Sequence, residues 1–99
     1  MTVIYDKVAV IGMGLIGASI ALAVRRGGLA KTIFGSDQSP EVAAVVARLQ
    51  LVDSFEADAV HAVADADLVI LAVPVGAVGK IAEQIVRHMK SGAGVTDTG

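Results

Sequence analysis

Apolar positions fall along this chain in two alternating rhythms. Lys7-Val8-Ala9-Val10-Ile11-Gly12 is a short apolar run ending in glycine, which predicts a strand covered on both faces. From Leu15 the spacing turns helical. Ile16, Ile20, Ala23 and Val24 share one face, and Gly27-Gly28 supplies the stop. Lys31 to Gly35 reads as a second strand, with Asp37 at its end. Ser39-Pro40-Glu41 then opens a helix: a capping hydroxyl, a proline at the first helical position and an acid in the first turn. Val42, Val45, Val46 and Leu49 are the buried stripe expected for it. Residues 51–58 are ambiguous, with a short edge strand near Ser54-Phe55, and Ala59 to Ala64 make one helical turn or two. Asp67 to Val73 is the clearest central strand, ended by Pro74. Gly76 to Met89 carries Val78, Ile81, Ala82, Ile85, Val86 and Met89 at helical offsets, and Ser91-Gly92 ends that helix. Gly94-Val95-Thr96-Asp97 predicts one more strand.

Strands separated by helical segments imply a parallel sheet with right-handed crossovers and helices on both faces. The expected strand order is 3-2-1-4-5, a doubly wound, Rossmann-like α/β sheet that stops after about the fifth strand. Composition agrees. The 99 residues make one domain, 55% apolar and 18% charged, with 11 glycines. The formal net charge of −2 leaves no basic footprint for nucleic acid, and three aromatic residues make no base-stacking platform. Cysteine is absent, which excludes disulfides, thiolate catalysis and Cys-ligated metals and suits a cytoplasmic location. Val8 to Val24 is uncharged for 17 residues, at the lower limit of a membrane span. Glycines at 12, 14 and 17 interrupt it, and Asp6 beside Lys7 spoils a signal-peptide start, so strand-turn-helix explains it better. No membrane partner is expected.

The chemistry lies in Gly12-Met13-Gly14-Leu15-Ile16-Gly17, a G-x-G-x-x-G that follows a strand and opens a helix, with Asp37 standing 20 residues after its last glycine. Gly12 permits the tight turn, Gly14 lets a diphosphate approach the backbone, and Gly17 lets the helix lie on the sheet. Free N–H groups and the dipole at the helix start suit the diphosphate. Asp37 suits the two ribose hydroxyls of an adenosine and repels a 2′-phosphate, and no arginine stands beside it in Gln38-Ser39, so NAD is expected over NADP. Val73-Pro74-Val75 closes the fourth strand at the topological switch point, so Gln38, Ala72, Val73 and Pro74 join the glycine motif and Asp37 as expected cofactor-site residues; Pro74 could equally be only a strand stop. His61 and His88 read as surface residues. Asp65 and Asp67 lie at the wrong edge of the sheet for a ligand, and Arg25 and Arg26 face solvent at a helix C-terminus.

The segments Val8 to Ser19, Gly35-Ser36-Asp37, Asp65 to Val75 and Val95 to Gly99 together resemble the prephenate/arogenate (cyclohexadienyl) dehydrogenase family over nearly the whole chain. The more specific marks are Gly-Leu-Ile-Gly-x-Ser, Ala-Val-Pro-Val and Thr-Asp-x-Gly. The resemblance implies an NAD-dependent dehydrogenase that oxidatively decarboxylates prephenate or arogenate on the route to tyrosine. It implies that Gly12, Gly14, Leu15, Ile16 and Asp37 hold the adenosine diphosphate, that Val73 and Pro74 line the nicotinamide side, and that Thr96 and Asp97 lie near the nicotinamide end. The family's catalytic histidine, substrate arginine and helical dimerisation domain follow the last of these motifs. Residues 1–99 are therefore expected to be the dinucleotide-binding domain of a homodimeric parent, binding cofactor without catalysing alone. No catalytic residue and no metal ligand are expected here, and the small-molecule substrate is expected only with the second domain. An uncovered apolar face beside the fifth strand is also expected. The same residues leave open a β-hydroxyacid or pyrroline-5-carboxylate type reductase and a stand-alone nucleotide-sensing module.

Overall fold

The computed structural model describes residues 4–98. Strands β1 (Tyr5–Ile11), β2 (Ala30–Ser36), β3 (Ser54–Glu56), β4 (Leu68–Leu71) and β5 (Gly94–Asp97) form one sheet, in the order β3-β2-β1-β4-β5. Every pairing is parallel. Helices α1 (Leu15–Gly27), α2 (Pro40–Leu49), α3 (Ala59–Val63) and α4 (Val75–Ile85) fill the crossovers, and α4 tightens into a 3-10 turn over Val86–His88. Alternation along β1 divides the core. Val8 and Val10 pack with Ala21 and Val24 of α1 and Val46 of α2. Ala9 and Ile11 pack on the other face with Ala62 and Val63 of α3 and Ile85 of α4. This is the doubly wound sheet expected from the strand–helix alternation, and β3 and α3 resolve the ambiguous stretch.

Each long helix departs from its expected stripe. In α1 the buried line is Gly17, Ala21 and Val24, while Ile16 is 58% exposed and Ala23 also faces solvent. The cause is Gly17, whose bare Cα lets the helix sit directly on the backbone of Gly12 and so sets its rotation. In α2 only Val46 is fully buried, and Val45 and Leu49 are exposed. The helix covers the edge of the sheet, where three-residue β3 offers little surface. In α4, Val86 is 62% exposed because the chain has tightened to three residues per turn at that point. The uncharged stretch Val8 to Val24 is split between β1, a loop and α1, and no described helix is long and apolar enough to cross a membrane.

Two charged residues read as peripheral tie the frame together. Arg25 lies 3.3 Å from Asp53 and donates from Nε to the Leu51 carbonyl, so it clamps the end of α1 to the approach to β3. Asp67 accepts the backbone N–H groups of Asp6 and Lys7 at 2.7 and 3.0 Å and pairs with Lys90, joining the starts of β1, β4 and β5. The Lys90 hydrogen bond, then the Lys7 and Asp6 N–H groups, draw the Asp67 carboxyl down from 3.8 to about 2. A depressed carboxyl stabilises the fold above its unfolded value and loses that contribution as pH falls through its folded value. Urea unfolding of the wild type is therefore expected to weaken between about pH 4 and pH 2. Asp67→Asn should flatten that acid limb and cost more stability at pH 6 than at pH 2.5. Parallel pH profiles for the two proteins would refute the assignment.

Candidate functional site: the cleft at the carboxyl edge of the sheet

The chain leaves β1 at Ile11 and reverses direction in three residues before α1 begins. Gly12 makes this possible with φ +92°, and a Cβ there would stand 2.5 Å from the Ala72 carbonyl oxygen. Its N–H donates to the Ser36 carbonyl at 2.7 Å, and Ala72 donates to Ile11 at 2.8 Å, so the ends of β2, β1 and β4 are stitched side by side. Gly17 is equally constrained, since a Cβ would lie 1.7 Å from the Gly12 oxygen. Gly14 differs from both. A Cβ on it would meet nothing within 4 Å. The fold itself does not require glycine at 14; an approaching ligand would.

The first turn of α1 has no side-chain cap and no acidic residue. By contrast, the N-termini of α2 and α3 are capped by Ser39 and Asp58. The donors at the start of α1 are thus left for an outside acceptor, and the helix dipole favours an anionic one. Asp37 holds the loop from the other side. Its Oδ2 accepts the Met13 N–H at 2.8 Å and its Oδ1 accepts the Ser39 N–H at 2.9 Å. A carboxylate oxygen accommodates two hydrogen bonds, so each still has capacity for a hydroxyl.

These residues border a cleft of about 560 Å³, within the range of small-molecule and cofactor sites. Of the residues expected at a cofactor site, Gly12, Gly14, Asp37, Gln38, Ala72, Val73 and Pro74 line it. Met13 turns its side chain into the core, where its sulfur lies 3.1 Å from the position of a Cβ on Gly35. Leu15, 86% exposed, and Ile16 stand outside the lining, and Gly17 lies beneath it. Leu15, Ile16 and Gly17 can serve a ligand through backbone N–H groups or helix placement, whereas the Met13 N–H is already bound to Asp37. Thr96 and Asp97 end β5 beside β4, with Leu71 opposite Asp97. They share the carboxyl edge with the cleft but do not line it. Beside them Val95 is exposed, on a strand whose four residues all face solvent.

The cleft also runs where no motif pointed. Ala77, Lys80, Ile81 and Gln84 of α4 form one wall, and Ala57, Asp58 and Ala59 form the opposite rim. The α4 residues are spaced as one helical stripe beside the core stripe, a signal present in the sequence. Asp58 was hidden because the register of β3 is tertiary. Pairing of Ser36 with Glu56 brings the loops after β2 and β3 together. His61 and His88 are exposed and line no part of the cleft; His61 lies 3.9 Å from Glu56. No group of three or more His, Cys, Asp or Glu among the described residues could hold a metal ion.

Comparison with known proteins adds an independent finding. Residues 20–99 match the family model described as prephenate dehydrogenase, nucleotide-binding domain. The chain is 36% identical over 94 residues to a prephenate dehydrogenase of Lactococcus lactis, covering 94% of this chain and 26% of that protein. The arogenate dehydrogenase of Synechocystis superposes with a TM-score of 0.85 at 30% identity, over 94% of this chain and 32% of that one. A prephenate dehydrogenase from A. aeolicus, solved with hydroxyphenyl propionate and NAD+, superposes with a TM-score of 0.83 at 28% identity, over 93% of this chain and 32% of that one. The chain thus spans about a quarter to a third of the length of these relatives.

Proposed function

The chain belongs to the prephenate dehydrogenase nucleotide-binding domain family, and from that premise we propose that its cleft binds NAD for a dehydrogenase acting on prephenate or arogenate. The observation that carries this reading is Gly14: a glycine that packing does not require, at an uncapped helix start, facing a cleft of about 560 Å³. A relative with the same fold was solved with NAD+. In this reading the N–H groups of the first turn of α1 bind the diphosphate, aided by the helix dipole. Met13 is not among the donors, because Asp37 already accepts its N–H. Asp37 accepts the adenosine ribose hydroxyls with its remaining capacity. Val73 and Pro74 border the nicotinamide side, and Thr96 and Asp97 lie toward the same end. The bound cofactor supplies the hydride acceptor for an oxidation.

The catalytic and substrate-binding groups belong to a further domain of the whole enzyme, a homodimer in this proposal. Residues 1–99 are the cofactor domain and bind without turnover.

Calorimetric titration of the purified protein with NAD+ tests the reading. Binding is expected at micromolar to millimolar ligand. Gly14→Ala should weaken it at least tenfold, because a methyl would stand in the path of the diphosphate, while thermal stability stays within a few degrees. No heat of binding from folded protein at millimolar NAD+ would refute the proposal.

A further inference from the structure

The cleft holds a second carboxylate that the reading above does not use. Asp37 follows Ser36, and Asp58 lies two residues past Glu56, the partner of Ser36 across the parallel ladder. Adjacent strands run about 4.8 Å apart, so the two acids sit on neighbouring loops at one edge of the sheet. Both line the same cleft. Lys80 is the one cation among the described residues that line it. The lining of the cleft therefore carries two carboxylates against one cation.

Capping explains only part of Asp58. Its Oδ1 accepts the Val60 N–H at 3.0 Å and starts α3. Asparagine or serine would cap equally well. The charge adds a modest attraction to the dipole of a five-residue helix. It also places a second negative charge on the cleft that a 2′-phosphate, of charge near −2, would have to enter.

We propose that Asp58 is a second cofactor-selectivity residue, which together with Asp37 excludes a 2′-phosphorylated dinucleotide from this cleft. The proposal rests on the cleft being the NAD site. Selection against the phosphate is then shared between two loops. Removing the Asp37 charge alone leaves a carboxylate facing the phosphate and gives an incomplete switch. Lys80, on the wall of α4, is too little to balance both acids and becomes an asset to the phosphate once one acid is gone.

The test titrates NAD+ and NADP+ into the wild type, Asp58→Asn, Asp58→Ser and Lys80→Gln. Asn and Ser both keep the cap on α3. The Asp58 variants are expected to gain NADP+ affinity by roughly tenfold, with a change for NAD+ of about twofold or less. The gain should shrink between about 50 and 300 mM salt, since the pair is partly exposed to solvent. An unchanged NADP+ to NAD+ ratio in both Asp58 variants overturns the proposal. So does a ratio that falls in Lys80→Gln while neither Asp58 variant raises it. Loss of the fold in both Asp58 variants would assign the charge to α3 and overturn it too. Wild-type protein that binds neither nucleotide would instead refute the cleft as an NAD site.

Discussion

Replacing Gly17 by alanine is expected to remove most of the stability of this domain. The new Cβ would lie 1.7 Å from the Gly12 carbonyl oxygen. A Cβ has no rotamer by which to escape, so α1 must lift from β1 or the Gly12 turn must unwind. Either movement opens the face packed by Ala21 and Val24. Overpacking of a core ordinarily costs about 1–3 kcal/mol. A backbone collision that a rotamer change cannot relieve belongs in the tail, at about 3–5 kcal/mol. Set against the roughly 5–15 kcal/mol of a domain of this size, that is enough to leave the protein marginal. The melting temperature should fall by roughly 15–30 °C, read by circular dichroism. Gly14→Ala is the matched control: the same substitution three residues away should leave stability almost untouched. Equal melting temperatures for wild type and Gly17→Ala would show that α1 does not rest on the Gly12 turn.

Asp37→Ala should lower NAD+ affinity more than any other single side-chain truncation in the cleft. A hydrogen bond to a charged acceptor contributes roughly 1.5–3 kcal/mol, which is about 10- to 150-fold in affinity. The structure adds a second consequence. Asp37 accepts the N–H groups of Met13 and Ser39, and Met13 is buried. Truncation leaves those donors unpaired and should cost about 1–3 kcal/mol of stability with no ligand present. Asp37→Asn separates the two effects. Its amide keeps one acceptor oxygen and the shape, and loses the charge. Urea unfolding should find it closer to wild type than the alanine variant, while calorimetry finds NAD+ affinity still reduced. Undiminished NAD+ affinity in Asp37→Ala would show that the ribose lies elsewhere and that Asp37 serves the loop alone.

Much of this architecture is legible one residue at a time. Val8 to Ile11 and Leu68 to Leu71 are apolar without alternation, which only strands covered on both faces sustain. Ser39-Pro40-Glu41 marks the start of α2 because a cap, a fixed φ and an acid each satisfy a separate demand of a helix N-terminus. The rotation of each helix was not legible in the same way. Ile16 and Ala23 match the periodicity of a buried face, yet a single missing Cβ at Gly17 turns α1 onto its small residues. Hydrophobicity sets which helix packs; close contact sets which side.

By itself, then, the sequence determined the alternation of strands and helices outside residues 51–64, the glycine turn and the acid at the end of β2. These are local demands of backbone geometry and hydrophobic period, met within a few consecutive residues. Tertiary structure alone decided the rest. It set Gly14 apart from Gly12 and Gly17 as the glycine of the turn that packing does not need, made Asp37 a clamp on the turn as well as a ribose candidate, and made Asp67 the tie between three strands. It also brought Asp58 to the cleft through the register of β2 and β3. Those roles depend on distances between residues far apart in the chain, and no pattern along the chain encodes a distance across the sheet.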